Sequence, residues 1–185
     1  MLERHRKTRR VFNEPGHVHF LTFSCFHRLA LLSGDAARQW LIEAVEAARQ
    51  KQRFTLHAYA VMPEHAHLLV RSLVAPYDVS AWLRAIKRPV AWKARQHLVH
   101  TGRAAWLRKL TVSRGGKAAF RFWDAGGGFD RNIWRLDTLR EVIDYIHANP
   151  VRRGLVASPT EWAWSSARFW NGHTDVPLRM DPLPL

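Results

Sequence analysis

Residues 56–62 and 65–72 are two strand-like runs separated only by Pro63-Glu64, a tight break that sets them up as a β-hairpin. Around this pair the hydrophobic period alternates between strand and helix. Residues 17–26 are rich in β-branched and aromatic side chains and read as a strand. From Asp35, a plausible N-cap, Ala37, Leu41, Val45 and Ala48 recur at helical spacing to about residue 50. A second helix is expected over 78–97, with Val79, Leu83, Ile86 and Val90 on one face and an interruption or kink at Pro89, which lacks a backbone donor. Residues 101–119 read as a polar, basic loop, 120–123 as a fourth strand, and Gly126-Gly127-Gly128 as a turn. Asp137 is suited to cap a last helix that Asn149-Pro150 should stop near Ala148. This order predicts an α+β, ferredoxin-like antiparallel sheet with helices on one face and an added C-terminal helix. Residues 1–170 are expected to form one domain with a basic N-terminal arm. Residues 171–185 read as a tail, with few core candidates from His173 onward.

Charge points to the partner. The chain carries 29 Lys and Arg against 15 Asp and Glu, a formal net charge of +14. A polyanion releases counterions on such a surface, so nucleic acid is the expected partner. Nine tryptophans add rings able to stack on unpaired bases as well as to fill a core. Cys25 is the only cysteine, which excludes an internal disulfide and a cysteine-rich zinc site. No apolar run is long enough to span a bilayer and the start lacks a hydrophobic signal stretch, so a cytoplasmic protein working at the nucleoid is expected.

On a strand at 65–72, side chains alternate. His65 and His67 share one face, while Ala66, Leu68 and Val70 face the core. Two imidazoles so placed can reach one metal ion, magnesium or manganese if phosphate oxygens complete the site, or one of several transition metals that imidazole also suits, although two ordinary strand histidines would look the same. On the last helix Leu139, Val142, Ile143 and Ile146 form an apolar stripe, and Tyr145 and Asn149 flank it on neighbouring turns. They present a phenol and an amide together; an amphipathic tyrosine and a capping asparagine are the plain alternative.

These residues resemble a family. Residues 62–70, Met-Pro-Glu-His-Ala-His-Leu-Leu-Val, look like the His-hydrophobe-His strand of the single-tyrosine HUH transposases. Residues 145–156, Tyr-Ile-His-Ala-Asn-Pro-Val-Arg-Arg-Gly-Leu-Val, are similar to the tyrosine helix and its exit in the REP-associated tyrosine transposases, and residues 162–166, Trp-Ala-Trp-Ser-Ser, resemble the element that follows it there. Pro15-Gly16 and residues 20–23 also fit. The likeness extends from about residue 9 to residue 170. It implies an enzyme that cuts and rejoins single-stranded DNA beside hairpins, with Tyr145 as nucleophile, His65, His67 and Asn149 as ligands of a divalent metal, a 5′-phosphotyrosine intermediate, and a monomer or homodimer. Ala66 is a small member of its class, and 101–119 is longer than the usual connection.

Candidate DNA contacts are Arg9 and Arg10 on the arm, Lys87 and Arg88 along a groove, and Arg152, Arg153, Trp164 and Arg168 after the tyrosine helix. Solvated charges and core tryptophans are the ordinary alternative. A non-cleaving nucleic-acid-binding module of the same fold, or a metal-dependent nuclease that activates water, would share most of these features. A covalent protein–DNA adduct separates both from a tyrosine enzyme.

Overall fold

The computed structural model describes residues 13–183. Its central sheet consists of β1 (Val18–Ser24), β2 (Phe54–Val61), β3 (His65–Ser72) and β6 (Phe129–Ile133), in the order β2-β3-β1-β6 with each neighbouring pair antiparallel. Helices α1 (Asp35–Gln52) and α2 (Val79–His100) cover one face, and α4 (Leu136–Arg152) covers the other. This is the ferredoxin-like arrangement with an added helix that the element order predicts.

Period-two alternation divides the sheet residues between two cores. Leu21, Phe23, Leu56, Tyr59, Val61, Ala66, Leu68 and Val70 pack beneath α1 and α2. Val18, Phe20, Ala58, Ala60, Leu69 and Ile133 pack against Leu139, Val142, Ile143 and Ile146 of α4. Both sheet faces are therefore dry, and the α4 face receives the histidine pair.

Several expectations need correction. The fourth strand of the sheet is β6, not 120–123; the latter residues leave a small hairpin, and Trp123 makes only an isolated bridge to Cys25. Residues 101–119 are not mainly loop. They hold α3 (Ala104–Leu110) and the hairpin β4 (Thr111–Arg114) and β5 (Lys117–Phe120), turned by Gly115 and Gly116, whose positive φ angles suit a two-residue reversal. Helix α2 runs through Pro89, because one absent donor among the bonds of 22 residues is outweighed by burial of Trp82, Leu83, Ile86 and Val90. Helix α4 likewise passes Asn149-Pro150 and ends at Arg152, with Gly154 at positive φ after it. Gly34, not Asp35, is the N-cap of α1, and Arg135 precedes α4; Asp35 and Asp137 instead lie in the first turns, where negative charge suits the helix dipole.

The outer edge of β2 is closed by chain from the C-terminal region. Val61 N–H donates to Trp164 O, Ser166 N–H to Tyr59 O, and Trp162 Nε1–H to Val61 O. Farther along, Asp181 N–H donates to Leu56 O while its carboxylate accepts from Leu56 N–H and Arg49. Leu178 and Met180, after His173, are buried in the core, so this segment supplies packing that its prolines conceal. An edge strand so covered cannot pair with another chain.

Ser166 Oγ also meets His147 of α4 at 2.8 Å and accepts from Tyr59 N–H at 2.9 Å. It ties the tyrosine helix to the sheet edge. Ser166→Ala is expected to lower stability by about 2–3 kcal/mol, because two buried polar groups lose a partner; urea denaturation measures this.

Candidate functional site

The site is built from β3, β1 and α4. His65 and His67 lie on the α4 face of β3, opposite Ser24 and Thr22 of β1. Both are buried, and their Nε2 atoms are 2.9 Å apart. Each distal nitrogen has its own partner: His65 Nδ1 meets Glu64 Oε1 at 3.1 Å, and His67 Nδ1 meets Thr22 Oγ1 at 2.8 Å. With Nδ1–H donated outward on each ring, both Nε2 lone pairs point into the same small space.

Burial disfavours the charged form of both rings. His67 is pushed down to about 3 by desolvation and by His65, against an opposing contact with the Asn149 side chain. His65 is lowered by desolvation, with Glu64 pulling the other way. Two neutral imidazoles with facing lone pairs repel unless a cation sits between them. Two nitrogens bound at roughly 2.1 Å and at right angles lie about 3 Å apart, which the observed separation matches. The donor chemistry therefore fits a divalent cation.

Asn149 is buried on α4, its Nδ2–H donating to Tyr145 O at 2.7 Å and its side chain reaching His67. Among the described residues no three His, Cys, Asp or Glu side chains converge on one point. Two imidazoles and one amide thus come together here, a set that would suit a divalent cation only if further oxygen ligands completed it. Tyr145, 41% exposed, stands over the same face, its ring 5.8 Å from that of His67 and 5.9 Å from that of Phe20. The helix thus keeps the phenol out of the core while its stripe is buried, as the phase of the pattern predicts.

The basic candidates separate in space. Arg152 lies 5.5 Å over the Tyr145 ring, and Arg153 pairs with Glu64 at 2.9 Å. Lys87 donates to Gly126 O and sits over Phe23, while Arg88 is exposed on α2, across the sheet from Tyr145. Trp164 packs against the α1–α2 core with Arg38 over its ring, and Arg168 pairs with Asp175 at 2.5 Å. Arg9 and Arg10 lie outside the described residues.

Sequence reasoning missed Glu64 and Thr22. Glu64 is buried, and besides His65 it meets Arg153 and, at 3.5 Å, Arg28. A carboxylate holding the far nitrogen of an imidazole orients that ring toward its ligand. Its signal was adjacency to the His65-Ala66-His67 run; Thr22 required the β1–β3 register. Glu64→Ala is expected to weaken Mn²⁺ binding by about 10-fold to 100-fold, and Glu64→Gln, which keeps an acceptor, by less. Titration followed by the Mn²⁺ EPR signal measures both.

His57, His65, His67 and His147 are all lowered, chiefly by burial, His147 to about 4. A histidine that resists protonation only when folded contributes stability above its unfolded value near 6.5, and that stability is lost as pH falls toward the folded value. Unfolding free energy should therefore decline from pH 6.5 to 4, with each fully lowered histidine adding up to about 1.4 kcal/mol per pH unit. Denaturant melts across that range test this; a flat profile would contradict it.

The His65-Ala66-His67 strand and the helix that carries Tyr145 meet on one face of a ferredoxin-like sheet, and the chain belongs to the IS200-like transposase family, whose model matches residues 13–121. It is 26% identical over 145 residues to the REP-associated tyrosine transposase of Escherichia coli (strain K12), covering 78% of this chain and 70% of that protein. A solved structure of a REP-associated tyrosine transposase bound to a REP hairpin shares the fold, with a TM-score of 0.68, 21% identity, and coverage of 97% of this chain and 95% of that one. Among the described residues, no helix is long and apolar enough to cross a membrane.

Proposed function

We propose that the protein is a metal-dependent single-strand DNA transesterase that cuts and rejoins DNA near hairpins through Tyr145. The observation that carries this reading is the pair of facing imidazole nitrogens 2.9 Å apart, with the Tyr145 ring 5.8 Å from His67. His65, His67 and Asn149 would hold the metal, magnesium or manganese. When bound, that ion supplies polarisation of the scissile phosphate and neutralisation of its charge.

The chain's own groups do the rest. Tyr145 is four residues before Asn149, so nucleophile and amide ligand ride on one helix and approach the phosphate together. The phenol oxygen attacks phosphorus and the bond to the 3′ oxygen breaks. The 3′ oxygen gains a proton, balancing the one the phenol loses, to give a 5′-phosphotyrosine and a free 3′-hydroxyl. Attack by a 3′-hydroxyl on that link rejoins a strand and restores the phenol. Arg152 over the ring places positive charge where negative charge develops.

The test is incubation with a 3′-labelled single strand carrying a stem-loop, followed by denaturing electrophoresis. A labelled band at protein mass that vanishes with protease and does not form with chelator is expected. Cut DNA without that band would assign the cleavage to activated water. Binding with no cutting would leave a nucleic-acid-binding module.

A further inference from the structure

The turn after β1 holds strained backbone beside the site. His27 and Arg28 are consecutive non-glycine residues with φ 51 and 52, in the left-handed region that side chains disfavour. Their surroundings keep them there. His27 N–H donates to Asp124 Oδ1 at 2.9 Å, Arg28 N–H to Cys25 O at 2.9 Å, and Cys25 N–H to Glu64 O at 2.8 Å. Strain of this kind persists where the fold over-determines it, and it clusters at functional sites. Here it fixes where one side chain goes. The Arg28 guanidinium lies 3.5 Å from Glu64 Oε1, with 60% of the side chain in solvent. Glu64 does not depend on it, because the same oxygen meets His65 Nδ1 at 3.1 Å and Arg153 at 2.9 Å. One carboxylate thus faces two guanidinium groups, and Arg28, the more distant and more exposed, brings surplus positive charge to the rim. After burial, the larger cause, its charge is among those that lower both His65 and His67.

Position along the sheet decides what that charge can do. Tyr145 stands beyond His67, against Phe20, whose ladder partner is Leu69. Arg28 and Glu64 stand at the opposite end of the pair, beside His65 and past its partner Ser24. A phosphate over the two imidazoles has the phenol on one side and Arg28 on the other. Displacement at phosphorus sets the attacking and leaving oxygens roughly in line. We propose that Arg28 is a catalytic residue of the cleavage step, its guanidinium N–H donating to the departing 3′ oxygen. The assignment rests on the function proposed above and adds a leaving-group contact to it. As the phenol oxygen bonds to phosphorus, the bond to the 3′ oxygen breaks and its electron pair stays on that oxygen. The guanidinium keeps its own protons and stabilises the charge. Solvent takes the phenol proton and supplies the one that completes the 3′-hydroxyl. Arg152, over the Tyr145 ring, serves the nucleophile's end.

The test follows single-turnover adduct formation by the full-length protein on a stem-loop strand, with either oxygen or sulfur as the bridging 3′ atom of the link that is cut. A departing thiolate is far less basic than an alkoxide and needs little stabilisation. Arg28→Ala should slow the oxygen strand by about 10²-fold to 10³-fold and the sulfur strand by less than about 10-fold. Arg28→Lys should recover part of the loss. Arg152→Ala should be slowed to the same degree on both strands. Mn²⁺ affinity, read by EPR, should stay in Arg28→Ala what it is in the unmodified protein, which also shows that the site has folded. Equal slowing of the two strands by Arg28→Ala would overturn the proposal. Weakened Mn²⁺ binding of the size expected for Glu64→Ala would overturn it too, since Arg28 would then act through the carboxylate. So would an unchanged rate on the oxygen strand, which leaves the tyrosine chemistry standing without this contact. If the unmodified protein forms no adduct on either strand, the cleavage reading itself fails and the assignment falls with it.

Discussion

Tyr145→Phe is expected to fold and bind DNA normally, yet to form no covalent adduct and to cut at least about 10⁴-fold more slowly. The hydroxyl is on a half-exposed ring, so removing it empties no core space. The ring contacts to Phe20, His67 and Arg152 survive in phenylalanine. What disappears is the one atom able to bond to phosphorus. His67→Ala should also stop cutting, for a different reason. It removes a buried ring held by Thr22 and half of the facing nitrogen pair, so the phosphate loses polarisation while the phenol remains. Excess Mn²⁺ should then restore part of the activity to His67→Ala and none to Tyr145→Phe. A general folding defect would not divide the two variants by their response to metal. If Tyr145→Phe cut at the normal rate, the tyrosine would be a surface aromatic and water the nucleophile.

The parts of the molecule that were legible in the sequence are those where one periodicity acts alone. In β3, alternation places Ala66, Leu68 and Val70 under α1 and α2 and leaves the histidines together on the other side. In α4, the stripe from Leu139 to Ile146 fixes the phase and hence the position of Tyr145. Where tertiary context overrides local pattern, the reading failed. Residues 129–133 are an edge strand with Asp130 and Arg131 among five residues, so their pattern is weak, whereas 120–123 is more apolar because it plugs the sheet end. The hairpin at 111–120 had a usable signal in Gly115-Gly116 that basic composition obscured. Leu178, Met180 and Asp181 could not be recognised as core and edge partners, because the strand they cover lies more than a hundred residues earlier. Thr22 was missed for the same reason, and Glu64 although it adjoins the histidine run. Their roles depend on which nitrogen of a neighbouring ring they face, and spacing carries no such information.

Gly128→Ala should destabilise the protein far more than Gly127→Ala in the same turn, by about 4 kcal/mol or more. A Cβ built on Gly128 would lie 2.1 Å from Thr22 O and 3.0 Å from Phe23 Cα, and the residue has φ +78. The obstructing atoms are backbone of the central strand, which cannot rotate away as a side chain could, so β6 would have to leave β1. The ladder pairs Thr22 with Phe129, the residue after the glycine, and the Thr22 hydroxyl holds His67 Nδ1. Displacement there reaches the His67 ring directly, so Mn²⁺ affinity is expected to fall along with stability. Gly127→Ala is the internal control, since a Cβ at that position meets nothing within 4 Å. Thermal unfolding should show a drop of about 10 °C or more for Gly128→Ala, with little change for Gly127→Ala. Equal shifts in the two variants would mean that the turn tolerates β6 moving as a unit, and that the close backbone approach is not what fixes Thr22 beside the histidine pair.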